Sequence, residues 1–272
     1  MPERPRIFGV LNVTTDSFSD GGRFLAAGDA IAQGIRLAES GADYIDVGGE
    51  STRPGADRVP AEVEQARVLP VVAALAERGI AVSIDTMNAD TARAAVEAGA
   101  AVVNDVSGGL ADAGMAAVVA EAGVPFVAMH WRGPSSVMTT LARYDDVVAE
   151  VRTELAERRS RLIDQGVAPE QIVLDPGLGF AKDAEHNWRL LAHLDELHDL
   201  GSPLLVGASR KRFLAALPGI AEAQGSGADP RDLPTAVVSA LAALAGVWAL
   251  RVHDVAGTRT ALDVVDAWRR GA

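Results

Sequence analysis

The sequence alternates short aliphatic runs with longer alanine-rich segments of helical pattern from one end to the other. Eight runs have the length and the β-branched or aliphatic content of buried strands. They are Arg6 to Val10, Tyr44 to Val47, Ala81 to Ile84, Ala101 to Val103, Phe126 to Met129, Gln171 to Leu174, Leu204 to Val206 and Ala249 to Val252. Strands that alternate with helices predict a parallel sheet, because each crossover between parallel strands is long enough to hold a helix.

A segment with helical periodicity follows each predicted strand. The eight segments are Asp29 to Ser40, Pro60 to Arg78, Ala89 to Ala98, Ala113 to Ala122, Asp145 to Gln165, Glu185 to Leu200, Thr235 to Ala245 and Ala256 to Arg270. Several are followed by a glycine able to adopt the left-handed backbone that ends a helix, as at Gly41, Gly79, Gly99, Gly123, Gly166 and Gly201. Eight strands with eight helices predict a single-domain parallel (β/α)₈ barrel over residues 1–272. A doubly wound open sheet is the alternative, since strand count does not show closure.

Composition narrows the classes of function. The chain has 25 Lys and Arg against 37 Asp and Glu, so no nucleic-acid partner is predicted. The absence of cysteine excludes disulfides and thiolate chemistry, and it fits the reducing cytoplasm. The most apolar helical stretch, Ala236 to Ala245, is too short to span a membrane, so no membrane role is predicted. Tryptophans 131, 188, 248 and 268 are predicted to belong to packing.

Polar side chains end or follow the predicted strands, which is where parallel barrels build their active sites. In chain order these are Asn12, Asp46, Asp85, Asn104 with Asp105, His130, Asp175, Ser209 to Lys211, and Arg251 with His253. The carboxylates and Asn104 suit the N–H donors of a heteroaromatic ring, and the basic groups suit a di-anionic leaving group. Each residue alone also fits a helix cap, a turn or a solvated cation. Together they indicate one pocket.

Seven segments, in order, resemble the dihydropteroate synthase family of folate biosynthesis. They are Gly9 to Thr14 with Asp16 to Gly22, Asp46 to Gly55, Ser83 to Thr86, Asn104 to Gly109, Asp175 to Lys182, Gly207 to Phe213, and Arg251 to Val255. The resemblance implies an enzyme that condenses 6-hydroxymethyl-7,8-dihydropterin pyrophosphate with p-aminobenzoate to give 7,8-dihydropteroate and pyrophosphate. It also implies a sulfonamide target and a homodimer formed through the last helices.

The resemblance implies roles for individual residues. The pterin ring would be held by Asp85, Asn104, Asp175 and Lys211, in a slot lined by Met129 and Gly207. The pyrophosphate would be bound by Asn12, Arg53, Arg251 and His253, with Asn12 also meeting a Mg²⁺ ion held mostly by phosphate oxygens. The p-aminobenzoate site would be bordered by Thr52, Arg53, Pro54, Phe180 and Ser209, with Phe18 and Asp20 closing over it.

The mechanism that the resemblance implies is dissociative. Pyrophosphate would leave first, and the anionic Asp85 and Asp175 would favour the pterin cation. Lys211 belongs to the same catalytic set, and we treat Asp20 as a hypothetical acceptor of the aniline proton. A related methyltransfer domain that serves a corrinoid protein is disfavoured by the loop motifs. A non-catalytic paralogue that acts as a binding protein remains the alternative.

Overall fold

The computed structural model describes residues 4–14, 22–50, 58–134, 138–220 and 229–272, with only the backbone described at 22–26 and 139. Eight parallel strands form one sheet: β1 (Arg6–Asn12), β2 (Tyr44–Gly48), β3 (Val82–Asp85), β4 (Val102–Asp105), β5 (Phe126–Met129), β6 (Ile172–Asp175), β7 (Leu205–Val206) and β8 (Ala249–Val252). All eight predicted strands are confirmed. Strand β1 is longer than predicted and reaches Asn12.

The sheet closes into a barrel. Strand β1 pairs with both β2 and β8, so the first and last strands lie side by side. The ring closes between β6 and β7 through the bridge of Leu174 with Leu204, where the Leu174 N–H donates to the Pro203 carbonyl at 2.9 Å. An open doubly wound sheet would leave those two strands apart as edges, so the barrel prediction is confirmed.

Helices lie between the strands, as expected for parallel crossovers. They are α1 (Gly22–Glu39), α2 (Ala61–Ala76), α3 (Ala89–Glu97), α4 (Met115–Ala122), α5 (Val147–Asp164), α6 (Ala184–Ala192), α7 (Leu194–His198), α8 (Arg212–Ala215), α9 (Asp232–Leu244) and α10 (Val255–Gly271), with 3₁₀ turns at Met138–Leu141 and Pro169–Gln171. The six glycines predicted to end helices all have positive φ, between 68° and 107°. Those helix ends are therefore confirmed.

Three predicted helix boundaries are wrong. Helix α1 begins at Gly22 instead of Asp29, because it runs through Gly28, where the structure leaves open space around the backbone. The predicted helix from Glu185 to Leu200 is two helices, since His193 leaves the helical region with φ −127° and ψ 37°. Helix α9 begins at Asp232, which places Pro234 in the first turn, where the missing N–H costs no helical bond.

The barrel interior has an apolar layer with a polar layer above it. Phe8, Val102, Val127, Val173, Leu205 and Ala249 form a separate buried cluster inside the barrel. Successive residues of a strand point to opposite faces, so the residue two positions further along each strand also faces inward. Counted from these six residues and from Tyr44, which packs against them, those positions carry Val10, Asp46, Asn104, Met129, Asp175, Gly207 and Arg251. Most of the residues predicted to bind the pterin are therefore placed together by the strand period.

The last two long helices expose apolar side chains. Helices α9 and α10 pack side by side. On α9 the exposed residues follow helical spacing, and they are Leu233, Val237, Leu241 and Leu244. On α10 they are Val264 and Trp268, and Trp268 is 74% exposed, so its predicted packing within the chain is wrong. No helix in the described part of the chain is long and apolar enough to cross a membrane.

Candidate active site

An ion-pair network crosses the polar layer at the carboxyl ends of the strands. Arg251 on β8 donates from Nε to Asp46 on β2 at 2.5 Å and from Nη2 to Asp85 on β3 at 2.6 Å. Asn104 on β4 donates from Nδ2 to the same Asp46 oxygen at 3.1 Å. Asp46 is fully buried, and Asp85 and Asn104 are almost so. Four strands are thereby linked through side chains that came from distant parts of the sequence.

Burial disfavours the ionised form of Asp85. Desolvation raises the pKa of Asp85 to about 7, even though the Arg251 guanidinium lowers it and Asp46 raises it further. The pKa of Arg251 is raised, because the carboxylates of Asp46 and Asp85 outweigh the effect of its burial. At neutral pH the site thus holds a permanent cation beside a carboxyl group that titrates near physiological pH.

Asp175 and Lys211 form the opposite side of the site. Asp175 is buried and accepts the Gly177 N–H at 2.7 Å, and desolvation raises its pKa although Lys211 lowers it. Burial lowers the pKa of Lys211 to about 8, against the opposing effect of Asp175. The Lys211 ammonium donates to the Leu178 carbonyl and lies 4.8 Å from the centre of the Phe180 ring. The loop after β6 and the loop after β7 therefore meet at Lys211.

His253 is held as one neutral tautomer. The Ser209 hydroxyl oxygen accepts the His253 backbone N–H at 3.1 Å, and it lies 3.0 Å from Nδ1 of the same residue. Since burial, then Arg251 and Arg210, lower the pKa of His253 to about 4, its ring is neutral at pH 7. The hydroxyl can then donate to Nδ1, which leaves Nε2 with the proton. Ser209 thus presents His253 as a hydrogen-bond donor.

Two strained turns carry the site loops. Ala181 and Arg210 are the non-glycine residues with positive φ in the described part of the chain, at 47° and 56°. Arg210 is held there by two bonds to Asp232 at 2.6 and 2.9 Å. Such strain persists only where the surroundings fix it, and it concentrates at functional sites. Here Ala181 directly precedes the buried Lys182, and Arg210 directly precedes the half-buried Lys211.

Lys182 supports the loop after β6 from behind. Its buried ammonium lies 2.9 Å from His130 Nδ1 and donates to the carbonyls of Phe180 and Gly177 at 3.1 and 3.2 Å. Burial and then Lys211 lower the pKa of Lys182 to about 7. The other ring nitrogen of His130 lies 2.9 Å from Glu154 on α5. A chain of polar contacts therefore joins α5 to the loop that carries Phe180.

The remaining predicted residues lie at the rim or outside the described residues. Asn12 ends β1 on the inward side, in register with Gly48. Met129 is buried at the end of β5, in one cluster with the partly buried Phe180. A Cβ on Gly207 would meet Arg251 and Asp175 only at 3.7 and 3.8 Å, so this glycine leaves space in the slot. The predicted residues Phe18, Asp20, Thr52, Arg53 and Pro54 lie outside the described residues.

The loop that carries Thr52 to Pro54 has well-defined ends. Glu50 accepts from Arg58 Nε at 3.1 Å and from the Val59 N–H at 3.1 Å. Arg58 also donates to Asn88 at 2.8 Å, and Asn88 donates to the buried Glu64 at 2.6 Å. These bonds tie the base of the loop to the loop after β3, beside Asp85.

The sequence analysis placed Asp46 and His130 among the polar residues of the pocket but gave neither a separate role, and it did not single out Lys182 or Glu154. The inward position of Asp46, two residues before the end of β2, is the signal that indicates its place in the site. Lys182 and Glu154 gave no such signal, because their partners lie elsewhere in the chain.

Residues 8–253 match the family model described as pterin binding enzyme. The dihydropteroate synthase of Mycobacterium leprae (strain TN) is 54% identical over 264 residues, which is 97% of this chain and 93% of that relative. The chain belongs to the dihydropteroate synthase family. The family expected from the sequence motifs is therefore confirmed.

Solved dihydropteroate synthases share the fold over the same length. The enzyme from Xanthomonas albilineans with 4-aminobenzoic acid superposes with a TM-score of 0.88 at 44% identity, covering 98% of this chain and 94% of that one. The same enzyme in complex with 7,8-dihydropteroate gives a TM-score of 0.85 at 42% identity, with the same coverage. Both are dihydropteroate synthases, and the TM-scores show that this chain has the same fold.

Proposed function

We propose that this chain is a dihydropteroate synthase, which joins 6-hydroxymethyl-7,8-dihydropterin pyrophosphate to p-aminobenzoate and releases pyrophosphate. Its family membership supports this reaction. One observation on the site supports it as well. That observation is a buried layer of acceptors, Asp85, Asn104 and Asp175, beside a half-buried donor, Lys211. A pterin ring presents several N–H donors and one carbonyl, which matches that set.

Ring binding and leaving-group binding are linked through Arg251. In the structure Arg251 Nη2 donates to Oδ2 of Asp85, so a ring that donates to the same oxygen can take the place of that bond. Nη2 is then released for a pyrophosphate oxygen, while Nε keeps Asp46 as its partner. His253 Nε2, protonated through the Ser209 contact, supplies a second donor to the same group. These charge-assisted bonds stabilise pyrophosphate as it departs.

The electron-rich ring carries the positive charge after departure. The carboxylates of Asp85 and Asp175 favour that cation, since both lie in the buried layer where electrostatic interactions are strong. The aniline nitrogen of p-aminobenzoate then adds to the methylene carbon. Its proton goes to Asp20 or to water, and Thr52, Arg53, Pro54, Phe180 and Ser209 border the p-aminobenzoate. The reaction as proposed uses no enzyme nucleophile.

Mg²⁺ is the proposed cofactor. Among the described residues, no group of three or more His, Cys, Asp or Glu side chains could hold a metal ion. Asn12 offers a single neutral oxygen at the rim, which fits a hard cation that takes its other ligands from pyrophosphate and water. The bound ion would neutralise charge on the leaving group.

The proposed reaction is tested by pyrophosphate release from the pterin substrate with p-aminobenzoate and Mg²⁺, with mass detection of dihydropteroate. Dihydropteroate from the unmodified protein, lost in Asp85→Ala or Lys211→Ala, is the expected result. If the pterin binds and no product forms, the chain is the non-catalytic paralogue.

A homodimer through α9 and α10 is also proposed. Both helices expose apolar residues, and the stripe on α9 runs over its full length. Continuous exposed apolar surface is typical of protein interfaces. Sedimentation at micromolar concentration is expected to give a dimer that Leu241→Glu dissociates, and a monomer of the unmodified chain would contradict it. A cytoplasmic location stays a prediction from the cysteine-free composition.

A further inference from the structure

We propose that Asp46 is a positioning residue that sets the hydrogen-bonding direction of Asn104, and that it thereby selects rings with an exocyclic amino group over rings with a carbonyl at the same place. This inference rests on the proposed function, because it concerns the ring that the site binds. It goes further in naming what discriminates between two rings of equal size and shape.

The direction of the Asn104 amide follows from the chemistry of its partner. A carboxamide has one end that donates and one that accepts, whereas an ionised carboxylate only accepts. Oδ2 of Asp46 already accepts from the Arg251 guanidinium, so only the donating end of the Asn104 amide, Nδ2, can face this oxygen. The Nδ2 to Oδ2 distance is 3.1 Å. Asn104 therefore offers its oxygen to a ring, as an acceptor.

The Asp46 carboxylate is held in this orientation by its position and its hydrogen bonds. It lies in the middle of β2 with no exposed surface, and one of its oxygens receives both Asn104 and Arg251. Its second oxygen, Oδ1, is buried without a hydrogen-bond partner among the described residues. A buried carboxylate with one unpaired oxygen lowers the stability of the fold. A role in the site therefore explains Asp46 better than a role in stabilising the barrel.

With its amide fixed, Asn104 adds a third hydrogen-bond acceptor to the site. With Asn104 as an acceptor, the described part of this layer presents three acceptors, counting Asp85 and Asp175, beside the donor Lys211. An amino-substituted ring matches this set. A ring with a carbonyl in place of the amino group puts oxygen against oxygen at Asn104. A free Asn104 would remove the conflict by rotating its amide.

The test compares the dissociation constants of two bicyclic rings, pterin and lumazine, near neutral pH by titration calorimetry. Lumazine carries a carbonyl where pterin carries the amino group. The unmodified protein is expected to prefer pterin by about 30-fold, the middle of the range that one unsatisfied buried polar group gives. Asp46→Leu and Asp46→Ala remove the acceptor, and the preference should narrow at least about tenfold in each that folds, because Asn104 can then rotate.

Two further variants separate positioning from general structural damage. Asp46→Asn retains an amide oxygen for Asn104, so it should keep most of the pterin preference while weakening both rings. Glu64→Gln is the matched control, because Glu64 is equally buried and bonds Thr86 and Asn88 instead of Asn104. Its ratio should equal that of the unmodified protein, whatever happens to its stability.

Three results would overturn the proposal or its basis, and they can be told apart. A preference below about threefold in the unmodified protein means that Asn104 is not locked. A preference left unchanged by Asp46→Leu and Asp46→Ala, with both rings weakened equally, means that Asp46 only stabilises the fold. If the unmodified protein binds neither ring, the proposed function itself fails.

Discussion

Gly177→Ala tests whether the loop after β6 is fixed by backbone contact. Gly177 has φ 67°, and a Cβ added there would lie 2.4 Å from the His130 backbone oxygen. Gly123 at the end of α4 has φ 68° and no atom within 4 Å of the same position. The two glycines therefore share the backbone strain of a left-handed residue, and they differ only in the steric contact.

The expected magnitudes follow from that difference. An alanine in the left-handed region costs about 1–2 kcal/mol, and this is the whole effect expected for Gly123→Ala. Overpacking against rigid backbone adds about 1–3 kcal/mol, so Gly177→Ala should lower the free energy of unfolding by about 2–5 kcal/mol. Because Gly177 also donates to Asp175 and accepts from Lys182, the shifted loop should weaken pterin binding as well.

Urea denaturation of both variants beside the unmodified protein gives the comparison, with equal m-values as the check that the unfolding transition is the same. Equal losses of stability in the two variants, within about 0.5 kcal/mol, would refute the argument, since the loop would then move freely away from His130. Pterin affinity should be unchanged in Gly123→Ala.

Three other outcomes are expected. Asp85→Asn should raise the free energy of unfolding at pH 8 by up to about 4 kcal/mol and leave it unchanged near pH 4. The reason is that the pKa of Asp85 is about 7 in the folded protein and 3.8 ordinarily, so the stability of the unmodified protein falls as pH rises through that interval. Denaturation at both pH values checks this. Gly207→Ala should weaken pterin binding in calorimetry with an unchanged melting temperature, since the added Cβ meets only ordinary contacts, and a normal affinity would contradict the slot. Ser209→Ala should raise the KM for the pterin pyrophosphate several-fold while binding of pterin alone stays unchanged, because His253 loses its fixed tautomer; equal effects on both ligands would place Ser209 elsewhere.

The barrel, and the grouping of most residues that we propose bind the ring, were predictable because both follow from short-range patterns. Buried parallel strands are continuous apolar runs, and a polar residue at the end of such a run stands out. Asn104 and Asp175 occur where β4 and β6 end, and the period of two places them on the same inward side.

The contacts that orient those residues were not predictable, because they join distant parts of the chain. Asp46 and Arg251 are 205 residues apart, and Lys182 and His130 are 52 apart. The break at His193 is likewise invisible to periodicity, because the apolar spacing continues across it. The exposed Trp268 was missed because a large apolar residue predicts burial without saying which surface covers it.

The pairing of β1 with β8 also has a consequence for how the protein acquires its activity during synthesis. Arg251 lies on the last strand to leave the ribosome, and its partners Asp46 and Asp85 lie on the second and third. Contacts of such high sequence separation form late, because their loop-closure entropy must be offset by the rest of the fold. A nascent chain of six or seven strands would carry nearly all the ring-binding side chains and no assembled site. Ring binding should therefore appear only when the barrel closes, which makes a bound pterin analogue a reporter of complete folding.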